Sequence, residues 1–254
     1  MKKHIKATLL LFTTLLLISC SSDDDTGNND DTNGTNNENV FVKRITEDFV
    51  SNDNSDIYVT DYTYDGNKIA TKKEYINGKL NYSYKFNYTG NHITSIEFTT
   101  IDLTGADAFT NYLSYDNDLI IGENDIAFEY NGNVVKIEFN YSSTLPSNCI
   151  ELTLKNNQPI LETYYDDCQT ITYREEIKYD TNKGMFSNIL GHNWWFIFDC
   201  TFCSAFGIGS GLNNIVSWDE DETYEYEYNE NGYPISFKVK EYVELKLIAT
   251  IEYY

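Results

Sequence analysis

The sequence predicts a mainly β protein, an antiparallel meander of repeated hairpins, and three observations carry that expectation. Apolar and polar residues alternate with period 2: Tyr82, Tyr84, Phe86 and Tyr88 share one face of a strand, with Asn81, Ser83, Lys85 and Asn87 on the other. The alternating runs are separated by Gly-containing turns, of which Asn231-Gly232 is the clearest, because both central positions of a tight hairpin turn favour φ > 0. The third observation is self-similarity. An apolar residue, any residue, a Tyr, and then Asn or Asp three positions on recurs six times.

The six copies are Tyr62-Thr-Tyr64…Asn67, Phe86-Asn-Tyr88…Asn91, Leu113-Ser-Tyr115…Asp118, Phe128-Glu-Tyr130…Asn133, Ile177-Lys-Tyr179…Asn182 and Tyr226-Glu-Tyr228…Asn231. In four of them an Ile or Val follows five residues after the Tyr, at 69, 93, 120 and 135. Gly66, Gly90 and Gly132 occupy turns where a side chain would obstruct φ > 0. In the last hairpin the expected pairs are Tyr228 with Ile235, Tyr226 with Phe237 and Tyr224 with Val239, giving one aromatic face and one charged face. Ile126, Phe128 and Tyr130 share a face with Val135, Ile137 and Phe139. The Thr89-Gly90 hairpin leaves Ile96 and Phe98 on the wrong face, which calls for a bulge or a different turn. Only Thr104–Tyr112 reads as a helical turn, and no turn residue follows Pro234 to mark the last strand boundary.

A sheet with one aromatic face must cover it. With almost no helix available, the sheet is expected to curl strongly or close into a barrel, with a two-layer sandwich as the alternative. The 22 Tyr are then mainly core and cross-strand ladder.

These motifs resemble the tyrosine-rich YD-type (RHS-like) hairpin repeats and, more closely, the repeat-built lipoproteins of Bacteroidetes-type outer membranes. The resemblance runs from about Val40 to Tyr254 and is strongest in Tyr-Glu-Tyr-Asn-Glu-Asn-Gly-Tyr-Pro-Ile at 226–235. It implies a broad antiparallel sheet at the cell envelope and brings no known activity and no catalytic residues.

The first residues read as an export signal. Lys2, Lys3, His4 and Lys6 precede a short apolar core, and Leu17-Ile18-Ser19-Cys20 fits a lipobox, so residues 1–19 are expected to be removed and Cys20 to carry the lipid. Several acyl chains at ~0.8 kcal/mol per buried CH₂ make such an anchor effectively permanent. Residues 20–39 are nearly all Ser, Asp, Asn, Thr and Gly, a disordered acidic tether with an rms reach of about 25 Å. Its Ser-Ser-Asp-Asp-Asp start resembles a surface-export signal and equally suits a plain solvated linker. Residues 40–254 are expected to form one β domain.

A formal charge of −22 argues against nucleic acid and against docking on an anionic bilayer surface. Asp219-Glu220-Asp221-Glu222 has no Ca²⁺-loop spacing and reads as a solvated run, so neither metal nor cofactor is expected. Four cysteines remain beyond Cys20: Cys149, Cys168, Cys200 and Cys203. They suggest two disulfides in an exported protein, and Cys149 and Cys168 flank the Asn156–Pro159 turn symmetrically enough to pair. Trp194, Trp195, Phe196, Phe202 and Phe206 interrupt the rhythm of the repeat. They are read either as a plug covering the sheet or as an exposed ligand, partner or membrane-contact surface. His92 and His192 lack a Ser or Cys partner in any recognisable motif, so no enzyme is expected. The function read from the sequence is a non-catalytic binding or adhesion module, lipid-anchored at the outer membrane and surface-exposed or periplasm-facing, with a glycan or an envelope protein as partner. The alternative is a structural partner that pairs through a sheet edge.

Overall fold

The computed structural model describes residues 40–50, 56–101, 105–139, 148–190, 212–242 and 244–254. They form sixteen strands: β1 (Val42–Phe49), β2 (Ile57–Asp65), β3 (Lys68–Ile76), β4 (Lys79–Thr89), β5 (His92–Ile101), β6 (Ala106–Asp116), β7 (Leu119–Glu123), β8 (Ile126–Asn131), β9 (Val134–Phe139), β10 (Asn148–Lys155), β11 (Gln158–Asp166), β12 (Thr170–Tyr179), β13 (Ile215–Trp218), β14 (Glu222–Tyr228), β15 (Pro234–Glu241) and β16 (Glu244–Tyr253). Each pairs antiparallel with its neighbours in the chain, and β1 closes on β16 with Ile45 opposite Ile251. The result is a closed up-and-down barrel, so the sandwich alternative is set aside. Closure also leaves these strands no free edge, which removes the route by which an edge partner would dock.

Two sequence expectations are corrected here. Residues 106–112 belong to β6, not to a helical turn: Phe109 pairs with Phe98, and cross-strand packing outweighs a weak local preference. The last hairpin closes with a longer loop than Asn231-Gly232 alone. The Asn229 side chain accepts hydrogen bonds from the amides of Asn231 and Tyr233, which places Tyr228 opposite Pro234 instead of Ile235. The pairs Tyr226–Phe237 and Tyr224–Val239 form as expected, and so does the shared face of β8 and β9.

A one-residue bulge adjoins the motif Tyr in four repeats. Tyr64 pairs with Ile69 while Thr63 pairs with Thr71, leaving Ala70 unpaired; Thr94, Ile121 and Ile235 are the equivalent extra residues. The bulge returns Ile96 and Phe98 to the inner face. The constant spacing of five from Tyr to Ile or Val is that of a two-residue turn, which sets the two residues directly opposite each other. The Tyr115 hydroxyl donates to the carbonyl of Ile93 at 2.8 Å, and that of Tyr130 to Ile120 at 2.8 Å. Tyr88 faces the backbone of Ile69 in the same sense. Two repeats are thus tied to the strand before them, and Tyr253 makes the same kind of bond by donating to Pro234 at 2.7 Å. Burial raises the Tyr115 and Tyr130 phenols to about 12, which keeps them as donors at any physiological pH.

A round barrel of sixteen strands is wide enough to hold a water channel. Here Ile69, Ile93, Ile96, Ile120, Leu152, Phe237 and Leu247 point inward and are fully buried, so the interior is a core. The outer face carries ion pairs on strands spread around the barrel. Arg44 pairs with Asp61 at 2.6 Å, Lys85 with Glu97 at 2.7 Å, Lys136 with Glu138 at 3.6 Å and Lys240 with Glu225 at 2.5 Å. A charge facing lipid at mid-bilayer costs about 2–4 kcal/mol, and membrane barrels turn their apolar side outward. This barrel has the opposite polarity.

One end is closed. Met185, Phe186 and Ile189, between β12 and β13, are buried, and Phe186 packs edge-on against Tyr62 at 5.1 Å. The Asn188 side chain bonds the Val40 carbonyl at 2.9 Å and the Tyr233 hydroxyl at 2.8 Å, and the Leu190 amide bonds Asn67 at 2.8 Å. The base of this segment is clamped by Asp180, which accepts from the amides of Asn182 and Asn214 and from the Tyr228 hydroxyl. The start of the irregular stretch is therefore a plug. Trp194, Trp195, Phe196, Phe202, Phe206 and His192 lie outside the described residues, as do Cys20, Cys200 and Cys203.

Cys149 and Cys168 are bonded. Cys168 sits in the β11–β12 turn with φ 55°, so the bond ties β10 to that turn. Closing a loop of this length contributes roughly 3 kcal/mol.

Candidate functional site

At the end opposite the plug the described inward side chains are less covered. Where inward side chains are covered near the plug, at this rim the inward Phe109 of β6 is 49% exposed and the inward Tyr173 of β12 is 50% exposed. Both pack against the ring directly opposite in the ladder. Tyr173 stacks on Tyr164 at 4.0 Å, and Phe109 packs on Phe98 at 4.4 Å, which in turn touches Tyr82 and Tyr84. An apolar ring left half in water forgoes about 1 kcal/mol or more of burial, so such rings mark the rim as a candidate contact surface.

Beneath Tyr173 lies a wall of carboxylates on β11, β12 and β14. Glu162 and Glu175 are directly opposite each other in the β11–β12 ladder, both facing inward. Glu162 is completely buried; one oxygen accepts from the Tyr164 hydroxyl at 2.6 Å, and the other has no hydrogen-bond partner. Glu175 accepts from the indole N–H of Trp218 at 3.1 Å. Glu222 accepts from the Tyr224 hydroxyl. The Tyr179 hydroxyl, buried near Glu162, has no partner.

Desolvation, with a smaller contribution from Glu175, pushes the Glu162 carboxyl up to about 8; burial also raises Glu222. A second acid, Glu47 on β1, is pushed to about 8 by burial, against the attraction of Lys72. These acids hold their protons more tightly folded than unfolded, where carboxylates titrate near 4.3. Their favourable contribution is complete below that value and is lost as pH rises through about 8. Each pKa unit is worth about 1.4 kcal/mol, so urea unfolding should show several kcal/mol less stability at pH 9 than at pH 5. Glu162→Gln should flatten this dependence. A midpoint that rises with pH over the same range would contradict the assignment.

On the other wall the same chemistry is internally neutralised. Lys72, 1% exposed, lies 2.6 Å from Glu74 and 4.9 Å from the centre of the Tyr84 ring, with Glu47 nearby. The bulge at Ala70 turns this lysine inward.

Other candidates are less developed. A cavity of about 350 Å³ lies on the outer face between Leu161, Arg174, Glu176, Lys178, Asp219 and Glu220. His92 is at a turn, 2.9 Å from Asp118 and stacked on Tyr115, with no nucleophile in the described contacts. The acidic run 219–222 forms the β13–β14 turn, and Glu222 alone turns inward. The inward carboxylates were absent from the sequence reading, although Glu175 is in phase with Tyr173, Ile177 and Tyr179, and Glu222 with Tyr224 and Tyr226.

Neither a family model nor a curated protein matches the chain. Two solved structures resemble it loosely. One is a porin-like protein from Bacteroides uniformis ATCC 8492, 12% identical, with a TM-score of 0.43, covering 84% of this chain and 97% of that one. The other is a porin-like protein from Bacteroides vulgatus ATCC 8482, 11% identical, with a TM-score of 0.42, covering 85% of this chain and 99% of that one. Nothing about function is taken from either.

Proposed function

We propose that this protein is a non-catalytic binding module of the cell envelope, a water-facing barrel anchored by lipid at Cys20 and binding through its mouth, the end opposite the plug. The observation that carries the reading is the pair of half-exposed inward rings, Phe109 and Tyr173, above a carboxylate-lined interior. The barrel begins at Val40, at the closed end, so the tether joins it away from the mouth. The polar outer face supports anchoring by lipid over anchoring by strands. Glycan and envelope-peptide ligands both suit aromatic rings with flanking hydrogen-bonding groups.

Opposed carboxylates of which one holds its proton also suit acid–base catalysis. Glu162 is sealed from solvent, however, and cannot reach a substrate. Binding is therefore the better fit.

The test is retention of defined glycan and envelope-peptide fractions on the immobilised protein. Tyr173→Ala combined with Phe109→Ala should reduce retention about tenfold while leaving the melting temperature within a few degrees. Undiminished retention by the double variant would reject the mouth as the site.

A further inference from the structure

The two charged walls of the interior share a donor set but differ in one component. In the first, carboxylates of Glu47 and Glu74 and the ring of Tyr84 surround the ammonium of Lys72. In the second, the carboxylates of Glu162, Glu175 and Glu222 stand among Tyr164, Tyr224 and Trp218 with no ammonium. Arg174, Lys178, Lys238 and Lys240 alternate onto the outer face, and Lys246 is engaged by Glu241 and Glu244. One Glu162 oxygen, in a fully buried side chain, remains without a hydrogen bond, as does the neighbouring Tyr179 hydroxyl. Buried polar atoms without partners are costly.

We propose that the wall formed by β11, β12 and β14 binds the primary ammonium group of an alkylamine, a free polyamine or a lysine side chain, in the position that Lys72 fills on the opposite wall. The proposal rests on the reading of the mouth as a binding site and names its ligand class. Glu175 and Glu222, which are partly accessible, receive the cation; Glu162 lies behind them, and Tyr173 and Tyr164 cover the alkyl chain. Ammonium over an aromatic face adds attraction that a desolvated site strengthens. A bare metal ion fits less well. Among the described residues, Glu138, Cys149 and Cys168 form the one set of three such side chains whose ligand atoms lie within 4.8 Å of one another, and those two cysteines are in the disulfide. The carboxylates of the wall are spread more widely, as a flexible amine requires.

The experiment is calorimetric titration of the purified full chain with cadaverine, with pentanediol as the neutral counterpart and Ca²⁺ as the metal control. Cadaverine should bind saturably and pentanediol should not, and Ca²⁺ should fail to displace the amine. Glu175→Gln with Glu162→Gln should weaken the amine about tenfold or more, while Glu225→Gln on the outer face should not. Equal binding by wild type and the inner double variant would show only the pull of an acidic surface and overturn the proposal, as would Ca²⁺ competing at stoichiometric concentration. If cadaverine fails while Tyr173-dependent retention of envelope ligands persists, the amine assignment falls and the binding mouth stands. If both fail, the binding reading falls with it.

Discussion

Lys72→Met should destabilise the barrel by about 3–5 kcal/mol, the usual cost of removing one partner from a buried ion pair. The lysine is 1% exposed and lies 2.6 Å from Glu74. Methionine fills nearly the same volume, so the loss is electrostatic and not a cavity. Glu47 and Glu74 would then face each other without a cation, and the variant should be weakest at high pH, where burial no longer keeps Glu47 protonated. Adding Glu74→Gln should recover part of the loss, because it removes the stranded charge. Urea midpoints for the single and double variants at pH 5 and pH 9 check this. A double variant less stable than the single one at pH 9 would show that the pair is not the source.

The plug gives the second large effect. Met185 and Phe186 are 1% and 5% exposed, and Phe186 meets Tyr62 edge-on. Replacing a buried Met by Ala costs about 2–5 kcal/mol and a buried Phe about 3–5 kcal/mol. The two side chains share neighbours, so the double variant should lose about 5 kcal/mol, less than the sum of the separate losses. The unfolding midpoint should fall without a change in slope, because the barrel still unfolds as one unit. A double variant within about 0.5 kcal/mol of wild type would mean that the segment only overlies the barrel end.

Much of the barrel was legible in the sequence because its device is local and repeated. Period-2 alternation assigns faces, and the Tyr-to-Ile spacing encodes the two-residue turn. The misplaced phase of Ile96 and Phe98 was itself the sign of the bulge at Thr94. Closure was less visible, since nothing local in β1 announces β16 as its neighbour. Tyr253 extends the hydroxyl ladder through the ordinary pairing of β15 with β16. Residues 106–112 were misread because Ala-Asp-Ala has weak strand preference, and the pairing of Phe109 with Phe98 decides the matter.

The candidate site was harder to see for a physical reason. Glutamate and lysine in a strand are ordinarily outward, and counting charge treats them alike. Lys72 is inverted by the bulge at Ala70, which composition does not reveal. Glu175 and Glu222 were in phase with aromatic neighbours, a signal that alternation carries when charges are scored for phase as well as number. The irregular stretch was recognised as a break in the repeat, and among its described residues Met185, Phe186 and Ile189 are covered.

The central claim is that the barrel faces water and is held at the envelope by lipid alone. Fractionation of the Cys20→Ala variant tests it most directly. The account predicts that this variant appears in the soluble fraction without detergent, with the β-rich circular dichroism and unfolding midpoint of the barrel domain in wild type. A Cys20→Ala protein that stays in the membrane fraction and needs detergent to leave it would show that the strands themselves enter the bilayer, and would contradict the account.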